Sequence, residues 1–541
     1  MGTSPHPDSP NISITLNGVE KLLNKINPHK ATGPDEIPTR LLKEASYEIA
    51  PIITLLFQVS LKQGTPPKDW LKANMVPAFK KGDRGKPENY RPISLTSVLC
   101  KIMEHIVHSQ IMKHFENYSI LTDAQHGFRK QRSCESQLLI TIHDLARTLE
   151  EGGQMDCIML DFSKAFDKVP HKRLLHKLHY YGVRGETLNW IQAFLSSRTQ
   201  TVLVNGKQSK QAPVLSGVPQ GTVLGPLLFL AYINDMPECV SSDLRLFADD
   251  SLLYRRIKSV EDATILQQDL DKLQEWESKW LMQFHPEKCF TLRVTNKTKP
   301  LKSNYTIHGH TLLSAIDQVP KSQQKRARQE EEASGKAIPN TAKYLGVYIN
   351  GKLSWNHHVD AVTKKATSTL WFLHRNTASC PRSVKEYCYK AYIRPQLEYA
   401  STVWTPHTQR NINQLEMVQR RAARYVYRDF SPYSSPTTML QQLGWETLEM
   451  RRQKAQLIMM YRIKNQLIDI PASLYAPPPQ RVTRGHPHQI MIERTRLNVY
   501  AQSYFPAVQR PWNALPASVA CAPTLDAFKQ QLDDAAATST V

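Results

Sequence analysis

The chain of 541 residues is 41% hydrophobic, enough apolar material for the cores of about two to four domains. Its 69 Lys and Arg against 48 Asp and Glu leave a formal charge of +21, which points to a polyanionic partner bound with an affinity that falls steeply as salt rises. Eight cysteines with no Cys-x-x-Cys pair suggest neither a disulfide framework nor a zinc knuckle, and the lack of an apolar signal region or a membrane-length apolar run points to an intracellular chain, nuclear or cytoplasmic, with no membrane partner.

Residues 1–20 are polar and proline-rich and read as loose, while 21–150 mix helical periodicity with loops. Within them, Lys80-Lys81-Gly82-Asp83-Arg84 reads by itself as a solvated turn. Cys157-Ile158-Met159-Leu160 fits a buried strand, and it ends on Asp161-Phe162-Ser163-Lys164-Ala165-Phe166-Asp167. A carboxylate at the end of a buried strand is costly unless paired or metal-bound; a strand-end cap is the plainer alternative. Ser216 to Pro226 carries three glycines and two prolines before the apolar run Leu227 to Ile233, so its backbone can approach a ligand closely ahead of a helix.

Phe247-Ala248-Asp249-Asp250 lies between Leu244-Arg245-Leu246 and Leu252-Leu253-Tyr254, which puts two adjacent carboxylates where a β-hairpin turns. Such a pair repels itself unless a divalent cation neutralises it, a solvated turn being the bland reading. Asp161 and Asp249 are far enough apart in the chain to come from separate strands of one sheet. Converging there, they could hold two Mg²⁺ about 3.5–4 Å apart, the arrangement that activates a 3′-hydroxyl and stabilises a leaving pyrophosphate.

Ser259 opens a helix whose apolar positions Ala263, Leu266, Leu270, Leu273, Trp276 and Trp280 recur three and four apart, the stripe of a core-facing helix. Residues 311–340 read as a disordered insertion: Lys321, Lys325, Arg326 and Arg328 precede Glu330-Glu331-Glu332 with no apolar period, a nuclear-import patch being the weaker alternative. Residues 341–380 would return to the body before them. Beyond 380 the chain reads as helical and basic to residue 469, with Leu415, Val418, Ala422 and Tyr425 on one face and Arg420, Arg421, Arg424 and Arg428 around it, suited to gripping a nucleic-acid backbone. Residues 470–488, with Pro477-Pro478-Pro479, read as a linker to a small module over 489–541.

Taken together these segments resemble the reverse transcriptases of non-LTR retrotransposons, the LINE elements, and the Jockey-like group in particular. The resemblance runs from Asn27-Pro28-His29-Lys30-Ala31-Thr32-Gly33-Pro34-Asp35 through Tyr90-Arg91-Pro92-Ile93-Ser94-Leu95 and Gln125-His126-Gly127-Phe128-Arg129 to the three segments above. It continues through Trp276 to Cys289, Lys343-Tyr344-Leu345-Gly346-Val347, Arg394-Pro395-Gln396-Leu397-Glu398-Tyr399-Ala400 and Trp512-Asn513-Ala514-Leu515-Pro516. His285 stands where the family usually has Asn before Pro-x-Lys.

The resemblance implies an α+β right-hand polymerase with fingers over 21–150, a mixed palm over 151–310 and 341–380 carrying the catalytic carboxylates, and a helical, basic thumb-like region after it. Asp161 and Asp249 would be the main ligands of two Mg²⁺, for which Mn²⁺ could substitute, with Asp250 shaping the charge of the site. Lys80 and Arg91 would hold the triphosphate, a mobile point charge beside a planar fork. Phe166, with Phe162 near it, would meet the incoming nucleotide, Phe166 excluding a 2′-hydroxyl by bulk. Gln220 and Gly221 would line the nucleotide and template pocket. Asp167 and His171 would order the loop, and His126 reads as a core histidine.

The implied reaction is RNA-directed DNA synthesis, with an RNA template, a DNA primer and dNTPs as partners. The elements carry an endonuclease upstream, so here an endonuclease domain or protein would be supplied elsewhere. Two alternatives stand: an RNA-templated RNA polymerase, which must admit the 2′-hydroxyl that Phe166 would exclude, and a catalytically inactive remnant that only binds nucleic acid.

Overall fold

The computed structural model describes residues 2–80, 82–315, 340–479 and 485–538. Helices and mixed sheets are interleaved along the chain, giving an α+β protein. It divides into two compact units, the first made of Met1–Phe128, Leu160–Ser251 and Gln268–Lys288, the second of Arg129–Met159, Leu252–Gln267 and Cys289–Val541. Among the described residues no helix is long and apolar enough to cross a membrane.

The first unit holds strands β1 (Lys72–Phe79), β2 (Tyr90–Leu95), β4 (Thr199–Val204) and the two-residue β5 (Lys207–Gln208) and β6 (Ala212–Pro213), in the order β2-β1-β4-β5 with β6 also on β4; β3 (Gln154–Leu160) enters the unit only at Leu160. β1 and β2 form an antiparallel hairpin with Ala78 opposite Arg91, while β4 runs parallel to β1. Helices Val98–Asn117, His171–Tyr180 and Leu224–Ile233 pack in the same unit. The last is apolar on every side and buried along nearly its whole length, as a helix without a polar face must be.

β7 (Asp243–Phe247) and β8 (Asp250–Arg256) are the predicted hairpin, with Ala248 and Asp249 at its turn. β3 is the predicted strand that ends in front of Asp161, and all seven of its residues are buried. Asp156 in its middle is accommodated because Arg293 lies 3.2 Å away and Tyr305 and Gln154 donate hydrogen bonds to it at 2.9 and 3.0 Å. In the second unit β9 (Phe290–Thr295) runs antiparallel to β3. Two-residue strands β10 (Thr306–Ile307) and β11 (His310–Thr311) form a small hairpin, and β12 (Leu313–Ser314) runs parallel to β9. β13 (Thr341–Tyr344) and β14 (Val347–Asn350) form a further hairpin.

The helix expected from Ser259 runs over Val260–Trp280, and its six stripe residues are all buried. Asp262 starts it by accepting the N–H groups of Lys258 and Ser259 at 2.9 and 3.1 Å. Strands occupy Thr311 and Leu313–Ser314, so the segment expected to be disordered is paired at its first residues; 316–339, with the Lys/Arg and Glu runs, lie outside the described residues. The helix Gln409–Tyr427 buries Leu415, Val418, Ala422 and Tyr425 as its periodicity predicts, and Arg420, Arg421 and Arg428 are exposed. Arg424 instead turns inward to the carbonyls of Ser431 and Ser434 at 2.8 and 3.0 Å, which spends its fork on holding the chain after the helix.

Residues expected as a linker and a separate C-terminal module share the core of the second unit. Ile470, Ala476, Ile490, Trp512 and Phe528 are buried together with Tyr461 of the helix Leu448–Lys464. Proline content signalled an interruption of helix there, not a loss of packing.

Candidate active site

Every site residue singled out in the sequence falls in the first unit. Asp161 follows β3 directly, and its carboxyl Oδ2 lies 3.2 Å from the Lys288 ammonium. The segment around Lys288 runs beside the start of the 161–167 loop: His285 donates its backbone N–H to the Asp161 carbonyl, Ser163 donates to the Gln283 carbonyl, both at 2.8 Å, and Phe162 bridges Phe284. Because His285 contributes its backbone here, the departure from Asn at this position leaves the bond intact. The Phe162 ring is buried, stacked on Phe284 at 4.5 Å and tilted against Trp276, so only its backbone is left to face a nucleotide.

Asp249 is half-buried at the hairpin turn and Asp250 is exposed beside it. Removal from water raises the Asp249 carboxyl, a backbone N–H holds it back, and the charge of Asp161 raises it further. Asp250 is pushed up to about 6, first by the protein mass around its carboxyl, then by Asp249 and Asp161. Lys80 and Arg91 act on both carboxyls in the opposite direction. Both cations are exposed on the β1–β2 hairpin, whose closing bond joins the Lys80 N–H to the Asn89 carbonyl at 2.8 Å. Tertiary structure thus brings three carboxylates and two cations from four chain segments within electrostatic reach. Among the described residues, no group of three or more His, Cys, Asp or Glu side chains is arranged to hold a metal ion.

The loop from Ser216 to Val223 is tied to both neighbouring motifs. The Val218 N–H donates to the Phe166 carbonyl at 2.8 Å, the Gln220 amide donates to Asp167 at 3.0 Å, and the Ser94 N–H donates to the Gln220 carbonyl at 2.9 Å. The His171 ring bonds the Gly217 carbonyl at 2.8 Å, so Asp167 and His171 order this loop. Gly221 has φ +99°, and a Cβ there would lie 2.7 Å from the Ser94 carbonyl oxygen, which makes glycine obligatory.

Four contributors carried no assigned role in the sequence. Lys288 sits in the recognised turn but faces Asp161 only in three dimensions. Glu104, fully buried on the helix Val98–Asn117, accepts the N–H groups of Val223 and Leu224 at 2.7 and 2.9 Å and so caps the helix that follows the Gly-Pro loop; burial raises its acid and those two bonds oppose the rise. Phe229 stacks on Phe166 at 4.3 Å, and Phe128 meets its edge at 6.4 Å. No local pattern signals these, since each depends on which helix face meets which loop. His126 is buried, as expected of a core histidine.

A family model described as "Reverse transcriptase (RNA-dependent DNA polymerase)" matches residues 79–349, a span that contains all of these residues. The chain is similar to the "Probable RNA-directed DNA polymerase from transposon BS" of Drosophila melanogaster, 27% identical over 461 residues, covering 81% of this chain and 47% of that protein. It is similar also to the "RNA-directed DNA polymerase from mobile element jockey" of the same fly, 27% identical over 429 residues, covering 76% of this chain and 44% of that one. A shorter match, 31% identical over 183 residues and covering 33% and 25%, is to the "Retrovirus-related Pol polyprotein from type-1 retrotransposable element R2" of Popillia japonica. The chain therefore spans about half the length of the jockey and BS proteins. With half of the chain matched by the family model, and the carboxylates of Asp161, Asp249 and Asp250 inside that half, the chain belongs to the reverse transcriptase family.

Proposed function

We propose that the chain is the RNA-directed DNA polymerase of a non-LTR retrotransposon, transferring a deoxynucleotide from its triphosphate to a primer 3′-hydroxyl on an RNA template. The observation that carries this reading is that burial and then the neighbouring charge of Asp161 raise the carboxyls of Asp249 and Asp250, while Lys80 and Arg91 act on both in the opposite direction. A surface loop gains nothing from carboxyls held where ionisation is harder, whereas a site for a cation and a polyphosphate needs both the acids and the facing cations. Residues 21–150, with the β1–β2 hairpin, would be the fingers, 151–310 and 341–380 the palm that carries Asp161 and Asp249, and 381–469 the helical thumb-like region. A groove lined by Lys364, Arg410 and Arg421 beside Asp360, Met417 and Val418 offers a nucleic-acid backbone three cations.

Lys80 and Arg91 bind the triphosphate, and Gln220 and Gly221 line its pocket with the template base. Phe166, braced by Phe229, packs against the ribose and excludes a 2′-hydroxyl. The donor set suits Mg²⁺, with Mn²⁺ as a substitute: hard carboxylate oxygens from Asp161 and Asp249, with Asp250 adding charge. Mg²⁺ ordinarily takes one or two carboxylates and completes its shell with water and substrate phosphate, so a cluster of three or more protein ligands is not required. When bound, two such ions supply Lewis-acid stabilisation of the attacking and leaving oxygens. Catalysis of this type is positioning and electrostatics, so loss of a ligand carboxylate costs several orders of magnitude.

The test is primer extension on an RNA template with dNTPs and Mg²⁺, comparing the chain with Asp249→Ala. Extension that disappears in the variant, while primer–template binding persists, supports the polymerase. If neither protein extends a primer that both bind, the inactive-remnant reading replaces it. Incorporation of ribonucleotides as readily as deoxynucleotides would favour the RNA polymerase.

A further inference from the structure

The turn that carries Asp249 is not self-supporting. Ala248, immediately before it, has φ +53°, a region that residues with a Cβ seldom occupy. Its N–H donates outside the hairpin, to the side-chain Oε1 of Gln125 at 2.9 Å. The same oxygen accepts the Gly127 N–H at 2.7 Å, and Gln125 is 2% exposed. The backbone around it is laid parallel against the end of β7: the Leu246 N–H donates to the Ala124 carbonyl at 2.8 Å, and the His126 N–H to the Leu246 carbonyl at 2.9 Å. A Cβ on Gly127 would stand 2.4 Å from the Ala248 nitrogen, so the approach tolerates no side chain there.

We infer that Gln125 is the positioning residue of the carboxylate turn: by accepting the Ala248 N–H it fixes that peptide plane, and with it the directions in which Asp249 and Asp250 leave the backbone. The inference rests on the reading of those carboxylates as the catalytic ones. The chemistry of the position narrows the choice of residue. Two N–H groups converge on one oxygen, so a hydrocarbon would leave both unpaired in a buried place. A carboxylate would accept both but would add a negative charge beside those of Asp249 and Asp250. Glutamine is the neutral acceptor with the reach to span from its own segment to the turn.

The test uses the full chain with Gln125→Met, which keeps the length and removes the acceptor, and Gln125→Glu, which keeps the acceptor. Amide hydrogen exchange is read over residues 246–251, and primer extension is read as kcat and KM for dNTP beside primer–template affinity. In Gln125→Met, exchange at Ala248 speeds by about tenfold or more while the helix Val98–Asn117 stays protected. Its kcat falls by about 10²-fold, the cost of displacing a reacting group by roughly 1 Å, with KM and primer–template affinity held within a small factor. Gln125→Glu keeps exchange at Ala248 slow, because its carboxylate still accepts the N–H; the fall in kcat at held KM in Gln125→Met is the change a merely structural residue would not produce. Unchanged exchange at Ala248 in Gln125→Met overturns the clamp. Faster exchange with unchanged kcat overturns its positioning role. If the unmodified chain extends no primer, the functional reading fails while the exchange comparison still decides the clamp. Should Gln125→Met not fold, Gln125→Asn, whose oxygen falls short by one methylene, gives the same comparison.

Discussion

A carboxyl with an ordinary value of 3.8 that stands at about 6 makes pH the sharpest probe of this site. Displaced that far, Asp250 at pH 5 holds its proton in the folded protein and has released it in the unfolded one. Stability at this residue is therefore fullest below about 4 and falls as pH rises to about 6, above which the cost of the ionised form is fully felt. A displacement of this size would correspond to ~3 kcal/mol for a dry group; since Asp250 reaches solvent, screening reduces the usable part to about 1 kcal/mol. A divalent cation reverses the balance, because it binds the deprotonated form. The assay is Mn²⁺ binding by electron paramagnetic resonance, without nucleotide, between pH 5 and 8. Affinity should be flat above about pH 7 and fall by up to tenfold per pH unit below about 6. Arg91→Ala removes a cation that lowers both Asp249 and Asp250, so its midpoint should move to higher pH. Affinity that stays flat to pH 5, or a midpoint that moves down in Arg91→Ala, would refute the account of carboxyls raised by burial and neighbouring charge.

Other expectations are read from single contacts. Phe166→Val should raise ribonucleotide incorporation relative to deoxynucleotide in matched extension assays; an unchanged sugar preference would remove Phe166 as the gate. Gly221→Ala forces a Cβ to 2.7 Å from the Ser94 oxygen at φ +99°, and the displaced loop should lower kcat by about 10²-fold with primer–template affinity kept. Asp235→Ala should destabilise the protein by about 3–5 kcal/mol in denaturant unfolding, because it strips the carboxylate from the fully buried Lys177 ammonium, 2.5 Å away, and leaves that charge to the Tyr232 carbonyl and the rings of Tyr232, Trp276 and Trp280. Lys177→Met, which removes the charge with its need, should cost less than Asp235→Ala, and the reverse order would show that the ammonium is not buried in solution.

The local elements were legible because their signals are local. A continuous apolar run announced β3, two short runs around an Asp-Asp pair announced the β7–β8 hairpin, and apolar positions three and four apart announced the helix Val260–Trp280. Proline and polarity misdirected the reading of the C-terminal part, where Ile470, Ala476 and Ile490 are buried in a shared core: a short irregular segment carries no periodicity by which burial can be recognised. Phe162 shows a different limit. The resemblance implied a nucleotide contact for it, but successive positions after a strand diverge, and its ring went to Phe284.

By itself, then, the sequence determined the family and the candidate carboxylates, because those depend on residue types at fixed chain positions. It could not decide which groups from distant segments meet. Lys288 beside Asp161, Glu104 under the N-terminus of Leu224–Ile233, Phe229 behind Phe166 and Gln125 on Ala248 come from chain segments that only tertiary packing brings together. The acidity of Asp250 follows the same rule: an Asp-Asp pair in solution repels weakly, and only the removal of water and the arrival of Asp161, Lys80 and Arg91 give this pair its particular charge state.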